Sequence, residues 1–237
     1  MKSYIDELDR NIFNFVEYEG YDDRYPSLSM QAFSSDFYDE IRHASRRLFQ
    51  IFCKAAKVFQ MAPDDFARNM DMPDNLIPYL HKSNALGLPT WLSRFDFVLD
   101  VNGNLRMVEL NADTPCFLIE SYYANEVAAN YVGRKHPNIE CRKELHTFLK
   151  RMYDAVLSAK YGRNQYESMR ANRESLPKDS FVFSCFHDYF EDYGTTQFLM
   201  RELKTACPEA DTRFISFYDM KIDDEGIPLE DGSHATL

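Results

Sequence analysis

Apolar residues recur along positions 36–60 in alternating steps of four and three, at Phe37, Ile41, Ala44, Leu48, Ile51, Ala55 and Val58. That spacing draws one stripe on a helix, and Ser34-Ser35-Asp36 ahead of it supplies the cap. Pro63 ends the run and opens a short helix with Asp64, Asp65 and Phe66, after which Pro73 and Pro78 punctuate the chain. Around Asn102-Gly103 the period changes to two. Asn-Gly between alternating runs is a strong hairpin signal, because both central residues of a type I′ turn need positive φ. A turn centred there pairs Val101 with Asn104, Leu99 with Arg106, Phe97 with Val108, Asp96 with Glu109 and Arg94 with Asn111. Thr114-Pro115 then reads as the N-cap and first residue of a helix through Phe117, Leu118, Ser121 and Ala124. The lone Trp91, just before the hairpin, is expected as a core anchor.

Residues 139–160 predict another amphipathic helix, with Leu145, Phe148, Met152 and Val156 on one face. Residues 161–178 are polar and read as a linker or loose helical end. Beyond them, an apolar strand at 181–186, a helix at 195–206 carrying Phe198, Leu199 and Leu203, and a strand at 212–217 form a β-α-β pattern with a parallel pair. The loop from His187 to Asp192 then falls at the carboxyl end of the strands, where α/β folds bind ligands. Asp223-Asp224-Glu225-Gly226 reads as a turn. The expected class is α/β, or α+β overall: a helical N-terminal part with a hairpin over 1–160, a linker at 161–178 and an incomplete α/β portion over 179–237. Two strands cannot close such a sheet, so the chain is expected to be a fragment, or to be completed by a partner.

Composition narrows this picture. A hydrophobic fraction of 45%, with 19 Phe and 15 Tyr, argues for a packed core rather than disorder. A net charge of −11 argues against non-specific nucleic-acid binding and suits a cationic partner, although an acidic balance is also ordinary. The five cysteines are odd in number and widely spaced, which fits free thiols in a reducing compartment. The N-terminus has no apolar signal region, and no run approaches the ~20 apolar residues of a membrane span, so a cytoplasmic location is expected.

Candidate chemistry concentrates on the hairpin. With alternation of faces, Arg94, Asp96, Glu109 and Asn111 emerge on one side, and Phe95, Phe97, Val108 and Leu110 on the other. Two carboxylates directly opposite each other repel, and a cation neutralises them. Two carboxylates and an amide form an oxygen-only donor set, which suits Mg²⁺ better than zinc; a solvated polar face is the plainer alternative. A helix starting at Thr114-Pro115 would offer backbone N–H groups to an anion.

Arg94-Phe95-Asp96, the hairpin and Glu109-Leu110-Asn111-Ala112-Asp113-Thr114-Pro115 together resemble the glutathionylspermidine synthase family of ATP-grasp carboxylate–amine ligases. A second patch, Phe181-Val182-Phe183-Ser184-Cys185 leading to Glu191-Asp192-Tyr193-Gly194-Thr195, adds to the resemblance. It implies a pre-ATP-grasp region followed by the start of an ATP-grasp-like domain. The implied reaction is ATP- and Mg²⁺-dependent amide formation through an acyl phosphate, from a small carboxylate such as a glutathione-like peptide and an amine such as a polyamine. The implied roles are Arg94 as the catalytic cation beside the nucleotide, Asp96, Glu109 and Asn111 as metal ligands with Asp96 also on the cofactor side, Thr114 and Cys116 toward the carboxylate substrate, and Glu191 and Asp192 toward the amine. The family has hydroxyl side chains at the positions of Thr114 and Cys116, and a thiol is a poor hydrogen-bonding substitute. Near a helix start Cys116 could have a depressed pKa, or be merely small and buried. Glu191 and Asp192 could equally be an acidic loop capping a helix at Thr195, and His187 is an outside candidate base. The competing reading is a non-catalytic small-molecule-binding module, or an inactive paralogue, using the same groups.

Overall fold

The computed structural model describes residues 3–17, 25–27, 29–84, 89–113, 115–172 and 179–236. The fold is α+β and divides into two compact units, one formed by 30–115 and the other by 1–29 together with 116–237. This division does not follow the expected linker at 161–178. Residues 163–171 are helical, and Tyr166 is buried there.

In the unit 30–115, α1 (Ser35–Gln60) follows the predicted span, and the Ser34 hydroxyl accepts from the Phe37 N–H at 3.1 Å. Short helices α2 (Asp64–Asn69) and α3 (Ile77–Ser83) follow the prolines. His81 of α3 contacts the Gln60 carbonyl at 2.8 Å and Asp64 at 2.9 Å, fastening α3 to the end of α1 and the start of α2. No α1 residue is fully buried despite its amphipathic pattern. Trp91 is 41% exposed and is not a core anchor.

The hairpin consists of β1 (Arg94–Leu99) and β2 (Leu105–Asn111). Its turn differs from the expected type I′. The Gly103 N–H donates to the Asp100 carbonyl, the Asp100 N–H donates to the Asn104 carbonyl (both 2.9 Å), and only Gly103 has a positive φ, +79°. This is a three-residue loop closed by a left-handed glycine. Asp100 favours it, because one carboxylate oxygen accepts from the Asn102 and Asn104 N–H groups, each at 2.9 Å. Near the turn, therefore, Leu99 pairs with Leu105 and Phe97 with Met107, one residue out of the expected register. A bulge between Asp96 and Phe97 leaves Val108 as the extra, exposed residue and restores the pairing of Asp96 with Glu109 and Arg94 with Asn111. The apolar face retains Phe95, whose ring lies 5.8 Å from Phe52 of α1.

The other unit holds most of the core. A 3₁₀ turn, Tyr4–Glu7, opens with a capping box between Ser3 and Asp6, and Ile5, Phe13, Phe15 and Val16 are buried. Pro115, Cys116 and Phe117 are not helical. The helix expected from Pro115 begins at Leu118, passes through a π-turn at Glu120–Ala124 and continues as α4 (Asn125–Tyr131). Helix α5 (Ile139–Tyr161) buries Leu145, as expected, with Leu149, Tyr153 and Leu157, each one position beyond the expected Phe148, Met152 and Val156. Helix α6 (Arg163–Ala171) returns along it, with the Tyr166 hydroxyl donating to Asp154 at 2.7 Å.

Strands β3 (Ser180–Phe183) and β4 (Asp211–Phe214) are parallel as expected, with Ser180 opposite Asp211 and Phe183 opposite Phe214. Looser pairing extends beyond them, through the Phe217 N–H to the Cys185 carbonyl at 3.1 Å. The connecting α7 (Phe190–Ala206) starts five residues earlier than expected. Among the described residues, no helix is long and apolar enough to cross a membrane.

Candidate functional site

The hairpin brings four of the expected residues together. Arg94 donates to both oxygens of Asp96, from Nε at 2.7 Å and Nη2 at 2.9 Å, a bidentate pair along one strand. The Asn111 amide donates along β2 to Glu109 at 2.8 Å and across the strands to Asp96 at 3.5 Å. The guanidinium beside Asp96 holds its carboxyl below the usual range, with a further contribution from contact with Glu109. Of the two opposed carboxylates, Asp96 is thus neutralised by a cation the chain itself provides, while Glu109 accepts from a neutral amide.

The oxygen donors here are chemically of the kind a hard cation takes. Asp96 is held ionised, Glu109 faces it, and an amide flip would turn the Asn111 oxygen toward the same point. The groups fit Mg²⁺ in donor type, with Arg94 as the competing cation. Among the described residues, no cluster of three or more His, Cys, Asp and Glu is arranged to hold a metal ion, so this hairpin has two carboxylates and depends on its amide.

A second group lies in the other unit. Cys116 Sγ approaches Asp192 Oδ1 at 3.7 Å. Burial first, then the charges of Glu191 and Asp192, push the thiol up to about 12. That answers the open question about Cys116: its helix-start position does not activate it, because the helix starts later and its neighbours are anionic. Glu191 and Asp192 are not loop residues but occupy the first turn of α7, where carboxylates also complement the helix dipole. Phe117, next to Cys116, has φ +75°, an uncommon conformation for an aromatic residue. Thr114 lies outside the described residues. His187 Nδ1 contacts the buried Ser216 hydroxyl at 2.8 Å.

Sequence reasoning missed a further ionic cluster. Glu202 of α7 is buried and accepts from Arg142 at 2.8 and 3.1 Å, and lies 2.5 Å from His146 Nε2. Burial works to raise the Glu202 carboxyl, but Arg142 and His146 outweigh it and keep it below its ordinary value. The available signal was position: Glu202 falls four residues after Phe198 and one before Leu203, a charge on the buried face of its helix.

An oxygen-donor hairpin with its own arginine, and an acidic helix start beside a half-buried thiol, are the two groups this α+β scaffold presents. The family described as glutathionylspermidine synthase preATP-grasp matches residues 4–235, and the chain belongs to that family. No curated protein matches it.

Proposed function

We propose that this protein serves an ATP- and Mg²⁺-dependent carboxylate–amine ligase reaction of the glutathionylspermidine synthase type. The observation that carries the reading is the hairpin: Arg94 clamps Asp96 opposite Glu109, with Asn111 bonded to both carboxylates. Family membership over almost the whole chain supports it.

In this reading Asp96, Glu109 and Asn111 hold Mg²⁺, which when bound offsets negative charge on phosphoryl oxygens. Arg94 presents a planar, permanently charged donor fork that suits phosphoryl and carboxylate oxygens alike. A metal ion held by Asp96, Glu109 and Asn111 would offset the Asp96 charge and leave the Arg94 fork to such oxygens. The resemblance assigns Thr114 and Cys116 to the carboxylate substrate. The high thiol pKa keeps Cys116 neutral near pH 7, as a weak S–H donor rather than a nucleophile. Glu191 and Asp192 attract the cationic amine and accept a proton as it becomes the attacking base. The substrates are a small carboxylate and a small amine, with a glutathione-like peptide and a polyamine suggested by the family's name. A cytoplasmic setting accords with five cysteines that are odd in number and widely spaced.

The test is phosphate release from Mg·ATP, with and without both acceptors, in the protein and in Asp96→Ala plus Glu109→Ala. Acceptor-dependent release that falls to background in the double variant is expected; equal release in the variant contradicts the assignment. One observation favours a second reading, a binding module without catalysis: Arg94 already occupies both Asp96 oxygens, so one of the two opposed carboxylates is neutralised without metal. That reading predicts ligand binding with no phosphate release.

A further inference from the structure

The loops that follow β3 and β4 carry an exposed group of aromatic rings that the hairpin and the Cys116 group leave unexplained. Phe186, Tyr189, Phe217 and Tyr218 are each between 42 and 62% exposed. Phe186 is central: its ring centroid lies 5.0 Å from Tyr218, 5.2 Å from Phe217 and 6.2 Å from Tyr189. The His187 ring meets Tyr218 edge-on at 5.5 Å. Scattered surface aromatics need no explanation, but a contiguous set does.

The loops holding these rings are fixed from beneath. The Phe217 N–H donates to the Cys185 carbonyl at 3.1 Å, which sets Phe186 and Phe217 on adjacent chain segments. Buried Ser216 accepts from the Tyr218 N–H at 3.3 Å and contacts His187 Nδ1 at 2.8 Å. The Tyr218 hydroxyl donates to Asp188 at 3.1 Å, holding one ring against the other loop. Rings fixed this way lose little freedom when a ligand binds. They also sit at the carboxyl ends of parallel strands, the favoured ligand edge of α/β units.

Charge decides the occupant. Residues 186–192 and 216–220 contain Asp188, Glu191, Asp192 and Asp219 and no Lys or Arg. A nucleotide base could stack on the rings, but its phosphates would meet these carboxylates. The partial positive charge at the start of α7 is met by Glu191 and Asp192 in its first turn. Aromatic faces attract cations whose charge is spread over methyl or methylene groups, and nearby carboxylates add to that attraction. We propose that Phe186, Tyr189, Phe217 and Tyr218, with Asp188 at their edge, form a binding platform for an alkylated ammonium head group. This deepens the amine side of the proposed function by adding an aromatic recognition surface to the two carboxylates, and it rests on that reading only for its biological role.

Choline is the probe, because its nitrogen has no N–H and cannot act as the attacking amine; its binding therefore reports on the rings and not on ligation. Its uncharged carbon analogue, 3,3-dimethylbutanol, is the control. Amide chemical shifts of ¹⁵N-labelled protein are followed during titration with each compound. Saturable shifts at residues 186–189 and 216–219 with choline are expected, and the carbon analogue should bind at least fivefold more weakly. Phe217→Leu, which keeps bulk without a π-face, should weaken choline binding about tenfold, and Asp188→Asn about threefold. Phe186→Leu provides the same test should Phe217→Leu lose its dispersed spectrum. Equal binding of the uncharged analogue would overturn the proposal and make the rings a plain apolar docking surface. Absence of saturable shifts, or binding indifferent to both ring substitutions, would also overturn it. Failure here leaves Mg²⁺ binding at the hairpin untouched, so the two readings fail separately.

Discussion

Cys116 illustrates how neighbours override position in the chain. A cysteine just before a helix looks activated in the sequence, yet burial and the paired carboxylates Glu191 and Asp192 push its thiol up to about 12. Asp192→Asn should therefore lower that pKa and speed alkylation of Cys116 at pH 8 severalfold, read by peptide mass spectrometry after iodoacetamide treatment; an unchanged rate would contradict the assignment. His234 gives a pH prediction of the opposite kind. Its imidazole contacts Asp223 at 3.0 and 3.1 Å. Its pKa is raised chiefly by the bond to Asp223, while Asp223 is lowered chiefly by the bond to His234. The histidine's contribution to stability is fully present below its unfolded value of about 6.5 and is lost as pH rises through the higher folded value. The aspartate's contribution is present above about 3.9 and is lost as pH falls through its lower folded value. The pair is thus most stabilising between those limits. Asp223→Asn should return His234 to an ordinary titration midpoint in an NMR pH series. Of the residues singled out from sequence, the hairpin set and the Cys116, Glu191 and Asp192 set come together as groups; that Glu191 and Asp192 would raise the Cys116 thiol was not legible, because burial and through-space charge leave no local pattern.

The hairpin was legible for a reason that includes two errors. Asn102-Gly103 suggested a type I′ turn, but Asp100 draws the chain into a three-residue loop, shifting the register by one. The bulge beside Phe97 shifts it back, so Asp96–Glu109 and Arg94–Asn111 were correctly paired although the pairs nearer the turn were not. A bulge has no signature in alternation alone. Helix α7 was read short at its start because Phe190, Glu191 and Asp192 look like loop residues without a capping side chain. Within α7, Gly194 carries a specific constraint: an added Cβ would lie 2.6 Å from Asn14 Oδ1 and 2.9 Å from the Phe15 ring. Glycine to alanine normally favours a helix by about 1 kcal/mol. Here overpacking reverses the sign, and Gly194→Ala should cost roughly 1–3 kcal/mol in urea denaturation. Between α5 and α7, Arg142→Leu would leave Glu202 buried with only His146. A loss of about 3 kcal/mol is expected, at the low end for breaking a buried pair because one partner remains.

For the molecule as a whole, composition indicated a real core but not its uneven distribution. The buried apolar side chains lie mostly in 1–29 and 116–237, whereas in the described part of 30–115 only Ala67 and Ile77 fall in that class. The hairpin therefore belongs to the unit with the thinner core, held by contacts such as Phe52 against Phe95. Amide exchange should be faster in α1 than in α5, since local opening follows the density of buried contacts; equal protection would contradict this. The linker or loose helical end expected at 161–178 reflected polar composition alone; Tyr166, on one face of α6, ties Arg163–Ala171 down, and 173–178 lie outside the described residues. The most direct test of the proposed function is calorimetric titration of Mg²⁺ into the protein and into Glu109→Ala, each with and without ATP. Saturable binding to the protein, strengthened by ATP and lost in Glu109→Ala, is the predicted result. No binding, or equal binding by the variant, would mean that Arg94 is the only cation the opposed carboxylates hold and that the hairpin is not a metal site.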